Sequence, residues 1–154
     1  MVVHSALTDD EVDRVFRALA DATRRDILRR TLAGQASVSQ LATAYDGATP
    51  VRTVVITTGM AGWETPPGRY TILHRVANET MTSGAIGAEN FYRLDDVLFT
   101  QYFTDLGHAL HFAWWRTRET IGRPGSHGCV NLLLDDARYF WDWAALGTPV
   151  YVHR

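Results

Sequence analysis

The chain has 154 residues, 46% of them apolar and 21% charged, with a net charge of −2. This is the size and texture of one globular domain, and five Trp, six Tyr and six Phe supply a core. Residues 1–50 carry seven acids and six Arg, and residues 51–154 ten acids and nine Arg, so neither part is a bulk electrostatic partner for nucleic acid. All 15 Lys/Arg positions are Arg, which excludes a lysine Schiff base, a Walker A loop and a Ser–Lys dyad. The lone cysteine, Cys129, excludes an internal disulfide and any CxxC metal knuckle. The first residues lack a basic segment followed by an apolar core, and no apolar run reaches 18 residues. The expectation is therefore no secretory signal and no membrane span.

In chain order, the first part reads as helical. Thr8 and Glu11 form a capping box before Val12, Phe16 and Leu19. Asp21 caps a second helix through Leu32, with Gly34 as its stop. Arg24, Arg25, Arg29 and Arg30 lie along that helix, where a solvated face is the simpler reading than a DNA contact. The rest reads as strands and turns. Gln40–Tyr45 turns at Asp46-Gly47, and Arg52–Thr58 is β-branched. Trp63–Gly68 is a turn, and Arg69–Arg75 is a strand. Residues 76–100, with Gly84, Gly87 and many polar positions, read as a long loop or lid. Ala109–Phe112 is a short buried strand, Asp135–Ala145 a helix ended by Gly147, and Pro149–His153 a last strand.

The stretch Ser126-His127-Gly128-Cys129-Val130-Asn131 carries the chemistry. A single cysteine is most often a small buried apolar side chain. Here Gly128 lets the backbone approach a ligand and leaves the amides of Gly128 and Cys129 to face an oxyanion. His127 lies two residues upstream, and His111 lies on a separate apolar segment. A free thiol has a pKa of ~8.5, and an imidazole that lowers it by ~2 units makes the thiolate the major form at neutral pH. Cysteine, histidine and an amide pocket together are the parts of an acyl-transfer site. A zinc site of His111, His127, Cys129 and His108 is the competing reading, weakened by the single thiolate and the absence of an acid at ligand spacing.

The hexapeptide resembles the signature of the L,D-transpeptidase (YkuD-like) catalytic domain: a His, 14–17 residues, then Ser/Thr-His-Gly-Cys-hydrophobic-Asn. His111 is followed by 14 residues and then by Ser126–Asn131, so every fixed position matches. Val54–Gly59, Glu64–Tyr70, Gly107–His111 with Trp114-Trp115, Asp136-Ala137 and Gly147–Val150 resemble the family's flanking segments. The resemblance covers residues 38–154. It implies a mainly β, sandwich-like fold with a C-terminal helix, preceded by a two-helix segment over residues 1–36. It implies Cys129 as nucleophile, His111 as proton donor and acceptor, and His127 with the Gly128 and Cys129 amides at the oxyanion. Ser126 and Asn131 would shape the loop. Trp114 and Tyr102, with Met81 and Tyr92, are candidate cleft walls, each also readable as core packing. The substrate would be a peptidoglycan stem tetrapeptide, losing D-Ala to a Cys129 thioester and forming a 3→3 cross-link. No metal or organic cofactor is implied, a carbapenem should acylate Cys129, and the protein is expected to be a monomer. The family works in the cell envelope, which sits uneasily with a chain that shows no signal or anchor. Phe112, where the family often has Gly or Ser, is expected to narrow the cleft or remove a polar contact to the imidazole.

Phe16–Leu28 and Ser37–Ala42 also resemble the opening helices of an ArsR-type winged-helix repressor. No recognition helix or wing follows, so specific nucleic-acid binding is not expected. Three other outcomes stay open from the sequence: an L,D-carboxypeptidase using the same thiol, a truncated DNA-binding regulator, and an inactive fusion.

Overall fold

The computed structural model describes residues 40–87 and 91–153. The two predicted helices and the ArsR-like segment before residue 40 lie outside these described residues.

Strands β1 (Leu41–Asp46) and β2 (Thr49–Val55) form an antiparallel hairpin. Gly47 sits at φ +58 in its tight turn, a conformation that favours glycine. β3 (Gly68–Thr71) pairs antiparallel with β8 (Pro149–Val152), so the end of the chain returns to its middle. The third sheet has four strands in the order β4 (His74–Thr82), β5 (Arg93–Tyr102), β6 (Ala109–Phe112) and β7 (Val130–Leu132). One α-helix, α1 (Leu134–Trp143), follows β7. The described part is thus mainly β with a C-terminal helix, as the sequence implied.

The pairing of β6 with β7 is parallel. Parallel neighbours require a crossover of a dozen or more residues. Residues 113–129 are that crossover, so the spacing between His111 and Cys129 has a topological cause: each residue lies at or beside a strand of one parallel pair.

Side chains from the β1–β2 hairpin, the four-stranded sheet, the helix and the segments beside them share one core: Ala44, Val54, Ile56, Ile72, Phe103, Leu110, Val130, Leu132, Ala137 and Phe140, with Tyr70 of β3 and Val150 and Val152 of β8 packed against it. Apolar burial drives this packing, at about 2 kcal/mol for a large side chain. Helix α1 is also held from outside the core. Asp136, in its first turn, accepts from Arg52 Nη2 at 2.6 Å, and the Arg52 guanidinium lies 4.5 Å from the centre of the Tyr139 ring. Arg75 of β4 donates to the Trp141 carbonyl and lies over the Trp141 ring.

Three expectations need correction. Arg69–Arg75 is not one strand. The Ile72 amide donates to Thr148 and the Leu73 amide to Tyr102, so the chain changes sheets between these residues. The described residues of the expected 76–100 lid, 76–87 and 91–100, are instead most of the β4 and β5 strands, with a 3-10 turn at Ser83–Ile86. The polar texture that suggested a loop belongs to strands with half-exposed faces. Gly147 does not end the helix; α1 stops at Trp143, and Gly147 serves the next turn at φ +82.

Candidate active site

A cleft of about 960 Å³ brings His111, Ser126, His127, Cys129 and Asn131 together with Glu79, Met81, Tyr92 and Tyr102. The parallel register sets His111 opposite Asn131 and Leu110 opposite Val130. Residues two apart on a strand share a face. Cys129, two before Asn131, therefore stands diagonal to His111 at the end of β7.

The imidazole of His111 is 2% exposed and held at both nitrogens. Nδ1 lies 2.9 Å from the Phe112 carbonyl, which accepts only from an N–H. That contact makes Nδ1 the donor and leaves Nε2 as the acceptor. Asn131 Nδ2 donates to Nε2 at 3.1 Å, and Arg116 Nε reaches Asn131 Oδ1 at 3.4 Å. Asn131 is thus a positioning residue for the imidazole. Burial pushes His111 down to about 4, against a smaller upward pull from the Phe112 carbonyl. The expected loss at Phe112 does not arise: its backbone supplies the polar contact, and its side chain packs against the core.

The Ser126–Cys129 loop is stapled by its own groups. Ser126 Oγ donates to the Cys129 carbonyl at 2.5 Å and accepts the Gly128 amide at 3.2 Å. The Gly128 amide therefore serves the loop and does not face the cleft, which corrects its expected place at the oxyanion. Gly128 is at φ +105, and a Cβ there would meet the His108 ring at 2.6 Å. Both facts demand glycine. Behind the loop, the Thr65 hydroxyl donates to the Gly128 carbonyl at 2.8 Å and accepts the Gly59 amide at 3.0 Å. Thr65 was not singled out by residue chemistry, because nothing local marks a threonine 63 positions away as the loop's clamp.

Cys129 Sγ lies 3.7 Å from the Gly107 carbonyl and accepts from the Ala109 amide. Among the described residues neither His111 nitrogen is its hydrogen-bond partner. Burial pushes the thiol up to about 11, the Ala109 amide opposes this, and the Glu79 charge adds to it. A thiol at about 11 facing an imidazole at about 4 rests as a neutral pair. Both shifts run against the resting thiolate that the sequence suggested. The physical reason is desolvation, which acts against the charged form of both partners.

His127 is set between aromatic rings, 5.2 Å from Trp63 and 5.3 Å from Tyr92 by ring centroids. Trp114 is not at the cleft: it is 52% exposed, and its indole N–H donates to the Asp95 carbonyl. Its neighbour Trp115 takes that place, with its ring 5.8 Å from His111. The sequence reading chose Trp114 over Trp115, because the letters do not show in which direction each ring leaves the turn after β6. Tyr102 lines the cleft, and its hydroxyl lies 3.0 Å from each Glu79 oxygen. Glu79 carried no sequence signal. His108 is engaged by the Thr104 hydroxyl at 2.8 Å. Among the described residues no three His, Cys, Asp or Glu side chains converge on a point where a metal could be held.

The model of the L,D-transpeptidase (YkuD) catalytic domain matches residues 35–152. The chain belongs to this family. It is similar to the probable L,D-transpeptidase 3 of Mycobacterium tuberculosis, 30% identical over 100 residues, covering 62% of this chain and 36% of that protein. The fold is similar to an L,D-transpeptidase from Mycobacterium smegmatis, with a TM-score of 0.70 and 27% identity, covering 75% of this chain and 55% of that one. A second solved structure, the L,D-transpeptidase LdtMt1 in complex with imipenem, gives a TM-score of 0.71 and 25% identity, covering 77% and 56%. The chain thus spans about a third of the curated relative and just over half of these solved chains. Among the described residues no helix is long and apolar enough to cross a membrane.

Proposed function

We propose that this chain is a cysteine acyltransferase acting on peptidoglycan stem tetrapeptides, with residues 38–154 as its catalytic unit. The observation that carries the reading is that Cys129 and the His111 imidazole line one cleft, with the tautomer of the imidazole fixed. Nδ1 is committed to the Phe112 carbonyl, so Nε2 faces the cleft as an acceptor.

The neutral resting pair assigns the order of events. A bound donor displaces Sγ from the Gly107 carbonyl and turns it toward Nε2. The S–C bond forms at the carbonyl of the third residue as the thiol proton passes to Nε2. The oxyanion is met by the Cys129 amide, with His127 at the rim. The imidazolium then protonates the leaving amine, D-Ala departs, and a thioester is left on Cys129. In the second half an acceptor amine attacks, its proton returns through His111 to sulfur, and a 3→3 cross-link results. His111 serves as base and acid in turn, and its low pKa makes the imidazolium a strong acid toward the departing amine.

The test is incubation of the parent and of Cys129→Ala with a disaccharide-tetrapeptide. D-Ala release by the parent and a loss of at least about a thousandfold in the variant are expected. Equal release by both overturns the reading. A cross-linked dimer as product identifies an amine acceptor; a tripeptide alone replaces transfer with hydrolysis. A carbapenem should add its mass to the parent and not to Cys129→Ala.

A further inference from the structure

Glu79 takes no part in the thiol chemistry and works against it. Its negative charge opposes the thiolate form of Cys129. The fold nonetheless holds it at the cleft. The β4–β5 register slips by one residue between Glu79 and Met81, and Asp96 on the facing strand is at φ +55. Such a bulge re-aims side chains beside it, and Glu79, Thr80, Met81 and Thr82 all line the cleft. The carboxylate is half-buried, and the Tyr102 hydroxyl fixes it with both oxygens at 3.0 Å. Among the described residues no arginine or histidine is paired with it. The guanidinium that lines the same cleft, Arg116, is held by the Gly125 carbonyl and Asn131. The other acid there, Asp105, is exposed.

A half-buried carboxylate with one neutral donor is under-compensated, and a cation that enters the cleft will be drawn to it. We propose that Glu79, cradled by Tyr102, is a subsite for a primary ammonium group of the substrate. The inference rests on the reading above, in which a diamino acid at position three of the stem carries that group. The same chemistry is offered by the side chain of the donor and by the incoming acceptor. On the acceptor, the ammonium first loses one proton to solvent. The amine nitrogen then attacks the thioester carbonyl, the C–N bond forms, the C–S bond breaks, and the second proton passes through His111 to Sγ.

The experiment compares two tetrapeptide donors, one with a free side-chain amine and one N-acetylated there. They are tested on the parent, on Glu79→Gln and on Tyr102→Phe. D-Ala release and protection of Cys129 from iodoacetamide are both read. The parent is expected to favour the free amine by about tenfold, the size of one charge-assisted contact. Glu79→Gln should lose the preference, and Tyr102→Phe should weaken it. Without peptide, iodoacetamide should alkylate Glu79→Gln faster than the parent, because the opposing charge is gone. A third arm partitions the acyl-enzyme between an alkylammonium nucleophile and neutral hydroxylamine. A Glu79-dependent preference confined to this arm places the subsite on the acceptor side. A parent that treats both donors and both nucleophiles alike overturns the proposal, without need of any variant. Equal D-Ala release from both donors with no preference in any arm removes the subsite and leaves the acyltransferase reading standing. Ammonium-selective protection without D-Ala release does the reverse.

Discussion

On one side of the cleft, His111, Asn131 and Cys129 stand on or beside two short, buried strands whose parallel pairing and backbone bonds fix them. On the other side, Glu79, Met81, Tyr92 and Tyr102 come from or beside a hairpin that is half exposed and carries a register slip. The first side is dry and its burial disfavours the charged forms of the thiol and the imidazole; the second meets the Glu79 carboxylate with a single hydroxyl. The difference teaches how the work is divided. Thiol chemistry needs a base that stays put and a nucleophile that is uncovered only when substrate arrives, which burial and backbone bonds provide. Recognition needs polar side chains that meet a solvated ligand, which a half-exposed hairpin provides.

The comparison is broken most directly on the buried side. His111→Ala should lower D-Ala release by about a thousandfold, since general base and general acid go together. A small loss, measured as kcat/KM, would mean that another group takes the thiol proton. Next, the neutral pair sets a pH signature. With the thiol at about 11, alkylation of Cys129 by iodoacetamide should rise about tenfold per pH unit from 7 to 9, or about a hundredfold in all, with no neutral plateau. A plateau near pH 7 would instead reveal a thiolate–imidazolium pair.

Asn131→Ala should lower kcat by roughly tenfold or more at little change in KM, the cost of one buried hydrogen bond that positions the base. It should also shift the acid limb of the pH–rate profile upward, because Nε2 loses the donor that favours its neutral form. A change in KM alone would instead place Asn131 on the substrate. In stability, the folded pKa of His111 lies below its unfolded value, so the unfolded chain binds the extra proton first. Stability present above pH 6.5 is lost as pH falls toward 4, by roughly 3 kcal/mol in all. Denaturant midpoints should therefore fall more steeply across that window in the parent than in His111→Gln. The smallest effect is expected at Trp114→Ala, within about twofold on D-Ala release, because this ring faces solvent; Trp115→Ala should cost more.

The Ser126–Asn131 loop, with the proposed nucleophile Cys129 in it, was legible in the sequence, because the demands on it are local. A positive φ at Gly128, a serine that closes its own loop and an asparagine two residues past the thiol are all written within six consecutive positions. The strands Ala109–Phe112 and Pro149–Val152 were legible for the same reason: short apolar or β-branched runs between turn residues. Misread were residues whose role depends on what faces them. The β4–β5 hairpin looked like a loop because one face of it is wet. Trp114 and Trp115 are alike in a string of letters and differ only in the direction each leaves the backbone.

The order of residues by itself determined that there is one sulfur, one glycine able to turn beneath it, and a histidine at the distance that one crossover loop spans. Tertiary structure decided the charge state and the company of that sulfur. Desolvation of both partners, which depends on all that is packed around them, keeps the thiol and the imidazole neutral. Long-range pairing of β4 with β5, across a loop that no short motif describes, brings the Glu79 carboxylate to the cleft.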